Sequence, residues 1–386
     1  MYENLLERNQ KFIQDIKCYR SYDSELLQLI KVLNNKKIAT ISGLRHTGKT
    51  NLVFTLLQKT QSFESSFYYN SELDTLWTVK THEDFIVLFD LYVRIHGIPK
   101  IIILQNTNNI EWIKTLISKL YSTKKYKIII VWNNIKIEWV TDIEIYPLWM
   151  SQNIEESLYG WIAEVRIPKD NHYKDFLLST LKHDILSRDI LESYNIKNIS
   201  LFYSVIWYLA QTPWYYSLRE IHRNLADHNI DVSLITMIEY INAALTTKFL
   251  SKCERYDIKN DNIISSKAQY FFGDVWLRKS FSWDMIDLRE NLIYIELLRK
   301  WYNVTWWING RFTFEFYAKK WGKTISLSID NSSDKLEIRK TARKLAKLWD
   351  NSQKYVIVQN KNSLTMRKFE ESWVKIIEIW ELIEII

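Results

Sequence analysis

Ile38-Ala39-Thr40-Ile41-Ser42-Gly43-Leu44-Arg45-His46-Thr47-Gly48-Lys49-Thr50 is the stretch whose reading decides the fold. The polar Asn34-Asn35-Lys36-Lys37 before it reads as a turn, and Ile38 to Ile41 has the short, apolar, β-branched character of a buried strand. Residues 51–57 return to helical spacing. Between strand and helix, Gly43 to Thr50 spells G-x-x-x-x-G-K-T. In that setting the pattern is a phosphate loop. Backbone N–H groups of Gly43, Leu44, Arg45, His46, Thr47 and Gly48 cradle phosphates, and the helix N-terminus adds a favourable dipole. Lys49 reaches the β- and γ-phosphates, and Thr50 can hold Mg²⁺. The expected ligand is ATP with Mg.

Two further buried-strand candidates follow, Lys100-Ile101-Ile102-Ile103-Leu104 and Lys127-Ile128-Ile129-Ile130-Val131, with helical spacing over residues 110–121 between them. Strands alternating with helices in this way predict an α/β fold, a parallel sheet with helices on both faces. Hydrolysis asks more: a carboxylate at a neighbouring strand end for the metal, and a group that activates water. The strand Ile101 to Leu104 runs into Gln105-Asn106. An amide oxygen is a weak, uncharged ligand for a hard cation and cannot take a proton from water. Asp90 also follows apolar residues, but Thr81-His82-Glu83-Asp84 forms a capping box, and Phe85, Phe89, Tyr92 and Val93 recur at helical spacing. Asp90 therefore reads as a helix-surface residue. Glu72 or Asp74, after Phe67-Tyr68-Tyr69, is the remaining candidate metal ligand. The expectation is an ATP-binding switch with weak or absent hydrolysis; the alternatives are a slow DNA-associated ATPase and a nucleotide-stabilised scaffold that binds a protein partner.

A chain of 386 residues has room for two or three domains. With 47% hydrophobic and 25% charged residues it should fold throughout. No apolar run approaches the ~18 residues of a membrane span, and the first residues lack a signal-peptide layout. The cytoplasm is the expected compartment. Cys18 and Cys253 are too few for a disulfide framework or a zinc site and read as small buried residues. A net charge of +7 is compatible with a nucleic-acid partner without requiring one.

Beyond the sheet, residues 169–250 are mostly helical. Ser217-Leu218-Arg219-Glu220 is a capping box, a second helix is predicted from Ser233, and residues 255–272 read as a hairpin, which together suggest a winged helix. Residues 233–240 contain no basic side chain, so this segment reads as a packing module rather than a reader of bases. After Glu290 come a helix, strands near residues 312–318 and 325–329, and another helix. Lys335, Arg339, Arg343 and Lys347 make a basic stripe on that last helix, opposite Ile338, Ala342 and Leu345, and are the best candidates for a nucleic-acid backbone contact. Glu290, Glu296 and Glu315 are the acids that could gather at a metal, as in a two-metal nuclease. They read instead as solvated carboxylates.

Residues 41–50, Ile145-Tyr146-Pro147-Leu148, residues 182–194 with Arg188-Asp189-Ile190, Asp274-Val275-Trp276-Leu277-Arg278 and residues 290–297 together resemble a widespread prokaryotic group of AAA-type ATPases. Its members join a P-loop domain to a winged-helix segment and a restriction-endonuclease-like C-terminal domain. The resemblance covers nearly the whole chain and implies three domains: residues 1–165, 166–285 and 286–386. Three departures stand out. The family's acidic pair is Gln105-Asn106 here, its Gly-Ser-Asn-like strand end with a phosphate-sensing role is Trp132-Asn133-Asn134, and an expected arginine is Val140. The family pattern also places acids at Thr313 and Glu315 and a lysine on the next strand, where Ile325-Ser326-Leu327-Ser328 has none, so nuclease activity is not expected.

Seven glycines and seventeen tryptophans are both abnormal counts, yet together they make about 6% of the chain, near the usual glycine share of about 7%. Trp132, Trp276, Trp301 and Trp373 fall where the resembled family has glycine, while Trp321 and Trp349 stand in turn or helix-end contexts. Abundant Lys, Asn and Ile with only four prolines fits an AT-rich genome. Some bacterial lineages with such genomes read UGA as glycine, and these six positions are expected to be glycines read as tryptophan. Trp112, inside a helical pattern, is expected to be a true tryptophan. The alternative is a Trp-rich protein with aromatic binding surfaces.

Overall fold

A computed structural model describes residues 1–16, 22–107, 112–132, 137, 139–147, 170–212, 215–257, 260–282, 287–309, 312–332, 334–348, 350–358 and 373–386. Cys18, Asn133, Asn134, Leu148 and Trp349, and the expected domain divisions at 165/166 and 285/286, lie outside the described residues.

Two helices, α1 (Tyr2–Gln14) and α2 (Asp23–Lys36), precede the first strand, β1 (Ile38–Ser42). Asn34 to Lys36, expected as a turn, complete α2 instead. The reversal is made by Lys37 alone, in the left-handed region at φ 59°. Four more strands, β2 (Ser66–Asn70), β3 (Ile101–Gln105), β4 (Lys127–Val131) and β5 (Thr141–Glu144), join β1 in a parallel sheet of order β2-β3-β4-β1-β5. The connecting helices are α3 (Lys49–Lys59), α4 (His82–His96) and α5 (Ile113–Ser122).

Alternation along the strands fixes the two faces. Ile102, Leu104, Ile128 and Ile130 pack with Phe85, Leu88, Ile113 and Ile117 of α4 and α5. Ala39, Ile41, Ile103 and Ile129 pack with Leu29, Leu33, Leu52 and Leu56 of α2 and α3. A sheet buried on both sides needs the near-continuous apolar runs seen in the sequence. The capping box at Thr81 and Asp84 forms, and Asp90 is exposed on α4, both as expected.

The second region contains α6 (Asn171–Asp184), which runs directly into a π-helix (Ile185–Glu192), then α7 (Ile199–Gln211), α8 (Leu218–Asp227) and α9 (Leu234–Thr246). An antiparallel hairpin, β6 (Leu250–Asp257) and β7 (Asn262–Phe272), and the short α10 (Val275–Lys279) follow. Its core gathers Ile185, Ile190, Phe202, Ile221 and Met237, and takes in Leu44 from the glycine-rich loop.

The third region is α11 (Arg289–Arg299), β8 (Asn303–Asn309), β9 (Phe312–Lys320), β10 (Lys323–Asp330), α12 (Lys335–Ala346), β11 (Gln353–Val358), β12 (Val374–Glu378) and α13 (Ile379–Ile385). These strands and the preceding hairpin share one seven-stranded sheet of order β12-β11-β10-β9-β8-β6-β7. The link is a short parallel pairing of Arg255 with Trp306 and Tyr256 with Trp307. Of the three acids, Glu296 is buried, contrary to expectation, while Glu290 and Glu315 are half-buried. Glu296 is buried against Arg299, and burial together with the nearby Glu290 pushes the Glu315 carboxyl up to about 7. Helical pitch brings Arg299 over Glu296, and the sheet interior encloses Glu315. Cys253 is buried, as expected. Among the described residues, no helix is long and apolar enough to cross a membrane.

Candidate functional site

Because β1 lies between β4 and β5, the loop that follows it emerges one strand in from the edge strand β5, at the sheet's carboxyl edge. Open α/β sheets place ligands at that edge. Two glycines allow the loop its path. Gly43 sits at φ 136°, where a Cβ would lie 2.2 Å from the carbonyl oxygen of Ile145. Gly48 is the N-cap of α3 at φ 91°, with the Tyr22 hydroxyl 2.0 Å from where its Cβ would be. At both positions a side chain would meet a neighbour and strain the backbone. His46 is also left-handed, at φ 65°. No side chain caps the first turn of α3, so its N–H groups and dipole are left for an anion.

Lys49 is buried, with its Nζ donating to the carbonyl oxygens of Gly43 at 2.9 Å and Leu44 at 2.8 Å. Burial pulls its pKa down to about 7, against the attraction of Asp189 and with the repulsion of Arg45. The ammonium is thus held inside its own loop by neutral partners, in an environment that favours an added negative charge. Thr47 braces the loop by donating to the Leu44 carbonyl at 2.8 Å.

Thr50 faces the end of β3. Gln105 Nε2 lies 3.0 Å from its hydroxyl, and Tyr68 donates to Gln105 Oε1 at 2.9 Å. The side chain beside the metal-binding hydroxyl is therefore the amide Gln105. Asn106, left-handed at φ 53°, turns away and donates to Asn70 at 3.1 Å. Of the two acids considered for the metal, Asp74 accepts backbone N–H bonds from Thr78 and Val79, both at 2.8 Å, which commits it to its own turn. Glu72 pairs with Arg45 at 2.7 Å. Among the described residues, no three His, Cys, Asp or Glu side chains gather as a metal site. The residues present fit a polyanion with its own magnesium. Among the described residues, Gln105 rather than a carboxylate stands beside Thr50.

The partner of Arg45 is the feature that sequence reading did not find. Its Nε donates to both Asp189 oxygens at 3.0 Å and its Nη2 to Oδ1 at 2.6 Å, while Nη1 and Nη2 also reach Glu72. Burial works against this guanidinium, but the hydrogen bonds from Asp189 and Glu72 outweigh it and hold the pKa above its ordinary value. Asp189 projects from the π-helix, a rare element that is frequent at functional sites. Arg45, Glu72, Asp74, Asn106, Arg188 and Asp189 line a cavity of about 370 Å³ beside the loop. The available signals for this contact were a charged residue at a variable position of the loop and the acid in Arg188-Asp189-Ile190.

Trp132 directly follows β4 and is fully buried, and Val140 is buried in the same core. The basic stripe lies far along the chain on α12, where Lys335, Arg339, Arg343 and Lys347 are all exposed and Ile338, Ala342 and Leu345 face inward.

One family match agrees with this geometry. Residues 35–133, from just before β1 to just after β4, match a family described as an AAA domain. The chain is 24% identical over 324 residues to a Haemophilus influenzae protein described as uncharacterized, which covers 75% of this chain and 81% of the relative. It also aligns with the Walker-type ATPase of Pyrococcus abyssi at a TM-score of 0.46 and 11% identity, over 70% of this chain and 99% of that one. The AAA-domain match supports a nucleotide-binding P-loop protein.

Proposed function

We propose that this chain is an ATP-binding switch in which occupancy of the phosphate loop changes how the helical region packs, with hydrolysis weak or absent. The observation that carries the reading is Arg45, a loop residue whose guanidinium is shared between Glu72 of its own region and Asp189 of the next. Its neighbour Leu44 is 2% exposed, within the core of the helical region. Two consecutive loop residues are thus anchored outside the sheet, so a shift of the loop must be felt there.

Residues 43–48 would hold the phosphates through backbone N–H groups, with Lys49 and Thr50 at the phosphates and their magnesium. ATP supplies the anionic charge that lets Lys49 leave the Gly43 and Leu44 carbonyls and competes with Asp189 and Glu72 for Arg45. Gln105 cannot act as a base, which is why turnover is placed low. We read α8 to β7 as a winged helix used for packing, within a module of residues 166–285, and residues 286–386 as a restriction-endonuclease-like module without nuclease activity. An ATP ligand fits the cytoplasm as working compartment.

The test is a calorimetric titration of ATP·Mg²⁺ with turnover measured in parallel, on wild type and on Asp189→Asn. Saturable binding, slow turnover and an affinity altered by Asp189→Asn support the switch. Equal affinity in the two proteins leaves only a nucleotide-stabilised scaffold.

A second reading, a slow DNA-associated ATPase, draws on the exposure of the α12 stripe. Four cations at one-turn spacing suit a phosphate backbone rather than a base sequence.

A further inference from the structure

Among the described tryptophans, three stand in a backbone conformation that a bulky side chain rarely adopts. Trp77, Trp301 and Trp321 occupy the left-handed region, at φ 51°, 66° and 35°. A bulky residue there is a genuine outlier, since its Cβ crowds the backbone.

The surroundings of two of them specify glycine. Trp301 follows α11 and its C-cap Lys300, donating to Leu298 O at 2.9 Å while Tyr302 donates to Leu297 O at 3.0 Å. That pair of bonds is the Schellman arrangement, whose left-handed position is usually glycine and sometimes asparagine. The same arrangement recurs at Gln61, Asn195 and Asn229, where a glutamine or an asparagine takes the position. Trp321 and Gly322 form the two-residue turn between β9 and β10, closed by the pairing of Lys320 with Lys323. Both turn residues have positive φ, 35° and 78°, the type I′ pattern that takes Asn-Gly, Asp-Gly or Gly-Gly. The Trp321 side chain is 90% exposed, so no packing explains its presence.

Burial tells a parallel story. Trp132 and Trp276 are buried with an indole Nε1 that has no acceptor. Indole N–H is a donor only, and buried donors are almost always satisfied. Trp306 shares that lack but stacks on Tyr215 at 3.9 Å, so the missing acceptor supports the case without deciding it. Against these stand Trp112 and Trp380. Trp112 is right-handed at φ −79°, donates to Lys80 O at 3.0 Å and meets the Phe85 ring at 5.9 Å. Trp380 donates to Glu378 at 2.6 Å.

We infer that Trp77, Trp301 and Trp321, and with them Trp132 and Trp276, are glycines in the protein made by the native cell, encoded by UGA codons that its ribosomes read as glycine. One base separates UGA from the tryptophan codon UGG, so a code that assigns UGA to tryptophan would yield this sequence from that gene. The shortage of glycine and the excess of tryptophan are then one phenomenon. The exposed indoles at 77 and 321 are no aromatic platform for bases or sugars.

The coding DNA and peptide mass spectrometry of the native protein test this together. The expected result is UGA with glycine-containing peptides at 77, 301 and 321, and UGG with tryptophan at 112 and 380. UGG at Trp301 or Trp321 overturns the inference. A second measurement stands on folding alone: in recombinant protein, Trp301→Gly and Trp321→Gly should each raise the melting temperature by about 2–4 °C per kcal/mol of relieved strain. A fall in melting temperature for both contradicts the backbone argument.

Discussion

The Arg45 guanidinium and the Asp189 carboxylate form a buried ion pair across 144 residues of sequence, with N···O distances of 2.6 and 3.0 Å. The side chains are only 13% and 4% exposed. Removing one member of such a pair strands the other in a low-dielectric setting, which costs more than the pair itself contributes. Because Arg45 keeps Glu72, Asp189→Ala is expected to destabilise the protein by less than the penalty of about 3–5 kcal/mol for a fully stranded buried charge. Pairing it with Arg45→Met should recover much of that loss. Denaturant unfolding of the two single variants and the double variant gives the coupling, and strict additivity would show that the contact does not bind the regions together.

Lys49→Ala should weaken ATP·Mg²⁺ binding by roughly 1.5–3 kcal/mol, the worth of a charge-assisted hydrogen bond. Titration calorimetry reads this directly. Unchanged affinity would falsify the phosphate-loop assignment.

The depressed pKa of Lys49 makes binding depend on pH. Its value is about 7 in the folded protein against an ordinary 10.5, so the unfolded chain binds more protons between those limits, and this group's contribution to stability rises with pH across that window. A bound polyphosphate favours the charged ammonium. Above pH 7, binding should take up a proton, and affinity should decline as pH rises. The buffer dependence of the binding heat at pH 8 measures the uptake, which should vanish in Lys49→Met.

Turnover is expected below the usual enzyme range of about 1–10³ s⁻¹. Since Gln105 rather than Asn106 contacts Thr50, Gln105→Asp alone should raise it, and Gln105→Asp with Asn106→Glu should raise it further. A phosphate-release assay decides. Brisk wild-type hydrolysis would mean that the metal carboxylate lies elsewhere.

If the α12 stripe contacts nucleic acid, DNA binding should weaken linearly on a log–log salt plot, by about 0.9 per phosphate contact. Changing Lys335, Arg339, Arg343 and Lys347 together to Gln should flatten that slope. Salt-independent binding, or binding untouched by the four changes, excludes the stripe.

Local patterns carried much of this protein in plain text. The run Ile38 to Thr50 announced strand, loop and helix because each of those states is chosen by neighbours a few residues away, and the apolar runs at 101–104 and 127–131 announced a doubly covered sheet for the same reason. The substitution of amides for acids at Gln105 and Asn106 was equally visible, although which of the two faces Thr50 depended on the left-handed turn at Asn106.

The partner of Arg45 was decided only by tertiary structure. No periodicity links residues 45 and 189, and the π-helix that aims Asp189 has no sequence rule of its own. Burial of Glu296 and partial burial of Glu290 and Glu315 likewise came from packing, since a carboxylate in a β-strand or helix reads as exposed until the layers around it are known. The joining of the β6–β7 hairpin to the C-terminal sheet rests on the pairing of Arg255 with Trp306, a contact between backbones that no side-chain pattern records. What the sequence determined by itself was each element and its chemistry, through short-range sterics and alternation. What folding added was the long-range pairing of charges and strand edges, whose energy depends on burial and therefore exists only in the assembled chain.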